Sequence, residues 1–279
     1  MMTIGEYLLA RLHELGVGHL FGVPGDFNLQ FLEQVRNTAG IRFIGTCNEL
    51  NAAYAADGYA RLNGVGALLT TYGVGELSAI CGVAGACAEH VPVICITGAP
   101  PLHAIRKGLY LHHTLADGNY DNMMTCYKQF TVAQTRLTPE NAPAEIDRVL
   151  TACMRDMKPV YIQLPSDVSH QLVQEPGQPL ERVVTASPEL LATALQHLMR
   201  VWSRAGRPAM LIDSDAARFA MTEPLRALVE KAQIPFANLS TGKSILDETH
   251  PLWLGTYCGK SSEPSVRERI EHADFLLVT

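Results

Sequence analysis

The sequence predicts an α/β protein: a doubly wound parallel sheet, followed by a second, incomplete α/β domain. Over residues 1–165, short apolar runs of strand length alternate with longer segments of helical periodicity. Such alternation is typical of a parallel sheet with helices on both faces. The same alternation starts again over 188–279 and stops at Thr279 inside an apolar run, where the last strand would have little to cover it. We therefore expect the second domain to be incomplete.

The elements of the first domain follow from caps, glycine stops and apolar spacing. Thr3 and Glu6 form the capping box of a first helix, whose apolar residues share one face, and Gly16 ends it. Apolar strands then alternate with helices that carry small or apolar faces. In order, we expect strand 19–23, a helix that buries Leu29, Phe31, Leu32 and Val35, strand 41–46, the helix that carries Glu49, strand 67–71, a helix over 78–88, strand 91–97, a long loop over 98–119, a helix over 144–157 and strand 160–164.

A linker is predicted over 166–187, because this stretch contains Pro176, Gly177 and Pro179. The second domain, 188–279, repeats the pattern of strands and helices. In order, we expect a helix over 188–204, strand 209–212, a helix over 223–231, strand 235–238, a helix over 265–272 and strand 275–279.

Composition narrows the classes of function. The formal net charge is -6 and no Lys/Arg run is present, which argues against a nucleic-acid or anionic-membrane partner. No apolar run approaches the roughly 18 residues that a membrane span needs, and the N-terminus lacks a basic region followed by an apolar core. The seven cysteines show no Cys-x-x-Cys spacing, which is typical of reduced cysteines in a cytoplasmic protein. Small-molecule chemistry is favoured.

The polar candidates all follow predicted strands. Asp26 comes after the first strand, Glu49 after the second, and the run 72–75 after the third. The long loop after the fourth strand contains His112 and His113. Because ligands of doubly wound sheets bind beyond the carboxyl ends of the strands, we expect these residues to converge at one edge.

Glu49 is the first candidate, since it lies in the opening turn of an alanine-rich, closely packing helix. Two interpretations stay open. The acid can complement the helix dipole, which contributes about 0.3–1 kcal/mol. Alternatively, it is a buried acid that shares a proton with a ligand nitrogen.

The segment Gly73-Val74-Gly75 connects a strand to a helix. It can cradle a phosphate on helix N–H groups, or it can be a turn that allows tight packing. The sequence continues as Glu76-Leu77-Ser78, so the third glycine of the dinucleotide fingerprint is absent, and no Gly-Lys-Ser/Thr follows.

His112 and His113 are open to two interpretations as well. Adjacent residues point in different directions, and no third ligand stands at a recognised spacing, so we predict no metal site in this chain. The pair is either a surface feature or, together with Asp26, a proton-transfer group near neutral pH.

Four segments, taken in order, resemble the thiamine-diphosphate-dependent 2-oxo acid decarboxylases. The resemblance is closest to the indolepyruvate and phenylpyruvate decarboxylases, with pyruvate decarboxylase close behind. Residues 242–248 and 254–257 resemble that family's central domain. The four segments are Val23-Pro24-Gly25-Asp26-Phe27-Asn28, the run from Asn48 to Arg61, the run from Thr71 to Ser78, and His112-His113-Thr114.

The resemblance implies non-oxidative decarboxylation of a 2-oxo acid (indolepyruvate, phenylpyruvate or pyruvate) to the aldehyde and CO2. The implied cofactors are thiamine diphosphate and Mg2+. Glu49 would bond the pyrimidine nitrogen of the cofactor, and Asp26, His112 and His113 would relay protons. The remaining implied cofactor-binding residues are Gly25, Tyr72, Gly73, Val74 and Gly75.

The resemblance also implies a homo-oligomer, a dimer or tetramer, with each site between two subunits. The family's third domain grips the diphosphate through Mg2+, and its Gly-Asp-Gly motif with a downstream Asn-Asn pair does not occur in this sequence. We therefore expect the chain alone to bind the cofactor weakly and to be inactive. The alternatives are a truncated, non-catalytic thiamine-fold protein and a split-enzyme half that needs a partner chain; a carboligase such as acetolactate synthase is the nearest enzymatic rival.

Overall fold

The computed structural model describes residues 1–180 and 186–279. Its internal contacts divide the chain into two units, Met1–Val183 and Val184–Thr279. Each unit contains a parallel sheet with helices, which confirms the predicted α/β fold class.

The described part of the first unit contains eight strands and seven α-helices. In chain order they are β1 (Met2–Thr3), α1 (Ile4–Glu14), β2 (His19–Gly22), α2 (Leu29–Asn37), β3 (Arg42–Gly45), α3 (Glu49–Asn63), β4 (Gly66–Thr71), α4 (Val74–Ala88), β5 (Val93–Ala99), α5 (Leu102–Lys107), α6 (Asn122–Tyr127), β6 (Ala133–Arg136), α7 (Ala142–Asp156), β7 (Val160–Pro165) and β8 (Leu172–Val173).

The main sheet of the first unit has six parallel strands in the order β3-β2-β4-β5-β7-β6. Every residue of β4, β5 and β7 is buried, as expected for central strands covered on both faces. From β2 the chain moves to β3 on one side and then to β4 on the other. The switch point of this doubly wound sheet therefore lies between β2 and β4, which is where such folds bind ligands.

Two apolar layers cover the sheet. One packs residues of α1, α2 and α7 against it, including Leu8, Val35 and Leu150. The other is built from small residues of α3 and α4, such as Ala53 and Ala79. The capping box of α1 is present, since Glu6 N–H donates to Thr3 Oγ1 at 3.1 Å and Thr3 N–H donates to the Glu6 carboxylate at 2.7 Å.

Several local features of the first unit differ from the prediction. Helix α4 begins at Val74 rather than at 78, so the glycine turn is the helix start itself. The loop expected over 98–119 contains α5, and α6 and the edge strand β6 were not predicted. Leu29 is 53% exposed, because it is the first residue of α2 and lies off the buried face that Phe31 and Val35 form.

Residues 166–180 belong to the first unit and pack against its β1 and α1, although the sequence predicted a linker over 166–187. Strand β8 pairs antiparallel with β1, and Ile4 N–H donates to the Gln171 carbonyl at 2.8 Å. Leu180 is buried, and its N–H donates to the Glu14 carboxylate at 2.7 Å. Residues 181–185 of that prediction lie outside the described residues.

Arg11 joins α1 to α7. Its side chain is 4% exposed, and it donates to both carboxylate oxygens of Asp147, at 2.8 and 2.6 Å. It also donates to Glu14 at 2.7 Å and to the Gln178 carbonyl at 2.9 Å. This arginine therefore links two helices to the segment that follows β8.

We predict that Asp147→Asn lowers the free energy of unfolding by about 2 kcal/mol, because it weakens charge-assisted hydrogen bonds to a buried guanidinium. Urea denaturation followed by circular dichroism measures the change. Glu145→Gln is the matched control on α7, since Glu145 pairs with Arg148, whose side chain is 50% exposed, at 2.7 Å. It should cost about 0.5 kcal/mol or less. Equal losses in the two variants would contradict the assigned role of Arg11.

The described part of the second unit contains four parallel strands, β9 (Pro208–Ile212), β10 (Phe236–Asn238), β11 (Trp253–Thr256) and β12 (Phe275–Val278). They form one sheet in the order β11-β10-β9-β12. Helix α9 (Asp215–Arg218) and strand β11 were not predicted, and the other helices and strands lie within a few residues of the predicted ones. In chain order the helices and strands of this unit are α8 (Pro188–Trp202), β9 (Pro208–Ile212), α9 (Asp215–Arg218), α10 (Thr222–Ala232), β10 (Phe236–Asn238), β11 (Trp253–Thr256), α11 (Pro264–Glu271) and β12 (Phe275–Val278).

In the two units together, none of the described helices is long and apolar enough to cross a membrane.

Candidate active site

The candidate residues of the first unit converge at the switch point between β2 and β4. Asp26 follows β2 and hydrogen-bonds His112 of the loop after α5. The Gly73 backbone, after β4, contacts the His113 carbonyl so closely that an added Cβ would lie 1.9 Å from that oxygen. Glu49 reaches the same turn, since its Oε1 lies 3.1 Å from where a Cβ on Gly75 would be. The predicted convergence at one sheet edge is therefore present in the structure.

The Asp26 turn is held by Asn28, whose side chain is fully buried. Asn28 accepts a hydrogen bond from Gly25 N–H at 2.9 Å and donates to the Val23 carbonyl at 3.1 Å. The carboxylate of Asp26 is about half exposed, and its Oδ2 bonds Nε2 of His112. The ring of Phe27 stacks on the His112 ring with centroids 5.0 Å apart. These contacts fix an accessible acid–imidazole pair.

The two histidines face the same carboxylate, which corrects the expectation that adjacent residues point apart. His113 has a left-handed backbone with φ of 65°, and this bend brings its ring to 4.7 Å from the His112 ring. One ligand atom from each of Asp26, His112 and His113 lies within 4.8 Å of the other two. Two imidazoles and a carboxylate can hold a shared proton, and they are also groups that divalent transition metals accept. The absence of a metal site from this chain stays a prediction.

Glu49 is the first residue of α3, but it does not cap the helix. Asn48 is the N-cap, and its side chain accepts from Asn51 N–H at 2.9 Å. The side chain of Glu49 is half-buried, so the deep burial expected of it is only partly met. Among residues 1–180 and 186–279, no group hydrogen-bonds its carboxylate. The carboxylate is therefore available to a ligand at the switch point.

Two further polar atoms beside the turn lack partners. Thr71 Oγ1 and His113 Nδ1 are buried, and no described residue hydrogen-bonds them. Since buried polar atoms are normally paired, such atoms at a sheet edge indicate a place for a polar ligand. Together with Glu49 they offer a carboxylate, a hydroxyl and an imidazole nitrogen.

The glycine turn supplies backbone rather than side chains. Gly73 has φ of 66° and ψ of −95°, a left-handed conformation that favours glycine. The Tyr72 side chain is buried, and its hydroxyl donates to the Tyr120 carbonyl at 3.2 Å, so it points into the core. Val74 is 60% exposed. Of the predicted cofactor-binding run 72–75, the backbone and the small surface of the glycines face the candidate site.

Glu76 is the residue that the sequence analysis missed. It is fully buried at the start of α4, where its Oε1 accepts from Gly73 N–H at 2.7 Å and its Oε2 accepts from the Tyr161 hydroxyl. Burial raises the pKa of Glu76 to about 7, against the opposing effects of hydrogen bonds from Tyr161, Gly73 and Thr97. The available signal was an acid among small and apolar residues directly after Gly-x-Gly.

This raised pKa predicts a pH-dependent stability. Because the folded state binds this proton more tightly than the unfolded chain does, the stabilisation is present below pH 4.5, the ordinary pKa, and is lost as pH rises through 7. Between about pH 5 and pH 8, the free energy of unfolding of the wild type should fall by roughly 2–3 kcal/mol relative to Glu76→Gln. Urea denaturation of both proteins across this range measures it. A pH-independent difference between them would contradict the shift.

Each of the two units matches a known family of protein domains. Residues 2–122 match the family described as thiamine pyrophosphate enzyme, N-terminal TPP binding domain, and residues 195–279 match thiamine pyrophosphate enzyme, central domain. The chain is 43% identical over 276 residues to the alpha-keto-acid decarboxylase of Mycobacterium leprae (strain TN) and 44% identical over 276 residues to that of Mycobacterium avium (strain 104). Each alignment covers 99% of this chain, and 48% and 49% of the two relatives respectively. The chain thus spans about half the length of the curated relatives it matches.

Proposed function

Because the chain belongs to the thiamine pyrophosphate-dependent 2-oxo acid decarboxylase family, we propose that it supplies the pyrimidine-binding half of a thiamine diphosphate site. The observation that carries this proposal is the unpartnered carboxylate of Glu49 at the switch point of the sheet. It lies against Gly75, and the buried, unpaired Thr71 Oγ1 and His113 Nδ1 lie beside the same turn. A ring with several nitrogens can form hydrogen bonds with a carboxylate, a hydroxyl and an imidazole nitrogen placed in this way.

In this proposal Glu49 holds a proton against the pyrimidine nitrogen. A half-buried carboxyl group next to a ring nitrogen can share that proton in either direction, which general acid–base catalysis requires. The missing Cβ of Gly73 leaves room for the His113 carbonyl, and that of Gly75 leaves room for the Glu49 carboxylate, so the two glycines allow both residues to lie against the turn. When bound, thiamine diphosphate supplies the electron sink that accepts the electrons of the bond to the departing carboxylate.

Asp26, His112 and His113 are proposed to move protons at the substrate. The half-exposed Asp26–His112 pair can deliver a proton to the reacting carbon. The imidazole of His113 can then supply a new proton to the pair. Positioned acid–base groups of this kind contribute about 10²–10⁴-fold in rate. The product would be the aldehyde, with CO2 released first.

The reaction class follows from the names of the relatives, which are alpha-keto-acid decarboxylases. The proposed substrates are indolepyruvate, phenylpyruvate or pyruvate. We further propose that the protein is cytoplasmic, that it acts as a homo-oligomer of two or four chains, and that Mg2+ and the diphosphate are bound by groups outside these 279 residues. The isolated chain should then bind the cofactor weakly and should not turn over.

The activity is tested on the native protein, purified from its source cell and supplied with thiamine diphosphate and Mg2+. The proposal expects saturable release of aldehyde and CO2 from at least one of the three 2-oxo acids, with Asp26→Asn strongly impaired. No decarboxylation of any 2-oxo acid by cofactor-loaded protein would overturn it.

An antibody against the first 150 or so residues, about one domain length, separates two forms of the proposal. A native band well above 30.4 kDa indicates a decarboxylase in one polypeptide. A band at that mass indicates a split enzyme, and a magnesium-binding partner should then co-purify. Decarboxylation by the purified 279-residue chain at the rate of the native protein would contradict the assignment of a half site.

A further inference from the structure

We propose that Glu76 is a positioning residue, whose buried carboxylate fixes the backbone of Gly73 and Gly75 between Glu49 and His113. The inference deepens the proposed function, on which it rests for the identity of the ligand. The effect of Glu76 on the shape of the turn does not depend on the ligand, so it can be tested separately from the proposed function.

A hydrogen bond joins the Glu76 side chain to the turn. Glu76 Oε1 accepts from Gly73 N–H at 2.7 Å, which is a short, charge-assisted bond when the carboxylate is ionised. Gly73 has the left-handed backbone described above, and its carbon lies against the His113 carbonyl. Because glycine can adopt many backbone conformations, this one needs a contact that selects it, and the Glu76 carboxylate is the side chain that accepts from the Gly73 N–H.

The Glu76 carboxylate is itself held in place by hydrogen bonds to strand β7. Tyr161, on β7, donates its hydroxyl hydrogen to Oε2 of Glu76, and Gln163 Nε2 donates to the Tyr161 hydroxyl at 2.8 Å. All three side chains are fully buried. The carboxylate therefore cannot move without breaking bonds to a central strand of the sheet.

Further hydrogen bonds connect Gln163 to Tyr72, the residue before Gly73. Arg136 Nε donates to Gln163 Oε1 at 2.8 Å, and an Arg136 Nη2 hydrogen bonds the Tyr120 carbonyl. The same carbonyl accepts from the Tyr72 hydroxyl at 3.2 Å. Hydrogen bonds thus form a closed ring that begins at Tyr72 and ends at Gly73. A turn held at two consecutive residues has a defined shape before any ligand binds, which lowers the cost of binding.

Glu76 is the member of this hydrogen-bonded ring whose charge can change near neutral pH while its side chain stays buried. The phenols that face the carboxylate are buried, and burial raises their pKa values. His113 meets the turn through its backbone carbonyl. The titratable and charged groups that face the carboxylate are Tyr72, Cys95, Tyr127, Tyr161 and Arg136.

The test follows the Gly73 amide in the isotope-labelled 279-residue chain. In the wild type its proton signal should move with pH through a midpoint near neutrality, and the Gly75 amide should move with it. In Glu76→Gln this titration should vanish from both signals, and hydrogen exchange at Gly73 should become about tenfold faster, since the loss of a charge-assisted bond is worth about 1.4 kcal/mol. Tyr161→Phe, which leaves the carboxylate in place, should speed exchange by a smaller factor.

Tyr127→Phe is the matched control. Its hydroxyl is also buried, and it donates at 2.6 Å to the backbone carbonyl of Glu76, not to the carboxylate. This variant should keep both the titration and the slow exchange of Gly73. Equal effects of the two phenylalanine variants, or a Gly73 signal that is unchanged in Glu76→Gln, would overturn the proposal.

A cofactor titration of the native protein separates this inference from the proposed function. Glu76→Gln should weaken thiamine diphosphate binding about tenfold, whereas Tyr127→Phe should change it less than about twofold. If the wild type does not bind thiamine diphosphate, the proposed function fails, and the Gly73 signals still decide the role of Glu76. Equal affinities in the wild type and Glu76→Gln would contradict the positioning role.

Discussion

Glu49→Gln should slow decarboxylation by the native protein by about 10²–10⁴-fold while leaving its fold unchanged. The amide can still occupy the space against Gly75, but it cannot share a proton with a ligand nitrogen. Because Asn48 caps α3 and no described residue bonds the Glu49 carboxylate, the substitution removes no structural contact. The stability of the protein should therefore stay within about 0.5 kcal/mol of the wild type.

Steady-state kinetics with bound cofactor, and hydrogen–deuterium exchange at the thiazolium carbon of that cofactor, measure the effect. Glu33→Gln is the control, since Glu33 is an exposed acid of α2 that pairs with Arg36 on the surface. It should leave both rates unchanged. An unchanged exchange rate in Glu49→Gln would show that Glu49 does not act on the cofactor.

Gly73→Ala should lower the free energy of unfolding by about 2–4 kcal/mol and abolish measurable cofactor binding. The added Cβ would lie 1.9 Å from the His113 carbonyl oxygen, and φ of 66° is unfavourable for alanine. The backbone of residues 112–113 would have to move, and the histidines would move with it. Urea denaturation and a thiamine diphosphate titration measure the two losses.

Gly85→Ala is the control, in helix α4, which begins directly after Gly73. No atom lies within 4 Å of a Cβ built there, and its φ is not in the left-handed region. Alanine in place of a helical glycine should stabilise the protein by about 0.5–1 kcal/mol. If Gly73→Ala were as stable as Gly85→Ala and bound the cofactor, the turn would not have the tight geometry on which the site depends.

The fold was predictable because the alternation of strands and helices depends on local spacing. The α1 capping box and the buried strands β4, β5 and β7 follow from the identity of neighbouring residues. Strand β6 was missed because it has four residues at a sheet edge and only two of them are buried. The placement of 166–180 depends on pairing with β1, about 170 residues away in the chain, which composition does not reveal.

The position of the candidate residues at one sheet edge was predictable, but their local geometry was not. An acid among small residues led to Glu49, and the same argument applied with more force to Glu76, which is the fully buried one. The sequence could not decide between them, because burial of either depends on how α3 and α4 pack at their first turns. The shared orientation of His112 and His113 depends on one left-handed residue, which is not glycine and so leaves no sign in the sequence.

Glu49 and the turn after β4 are proposed to bind the aminopyrimidine part of thiamine diphosphate. The most direct measurement titrates thiamine diphosphate with Mg2+ into the isotope-labelled 279-residue chain and follows the amide signals, which report weak binding as well as tight binding. We predict shifts at Glu49, Gly73, Gly75 and His113, and their loss in Glu49→Gln. Shifts confined to other parts of the chain, or identical shifts in Glu49→Gln, would contradict the claim.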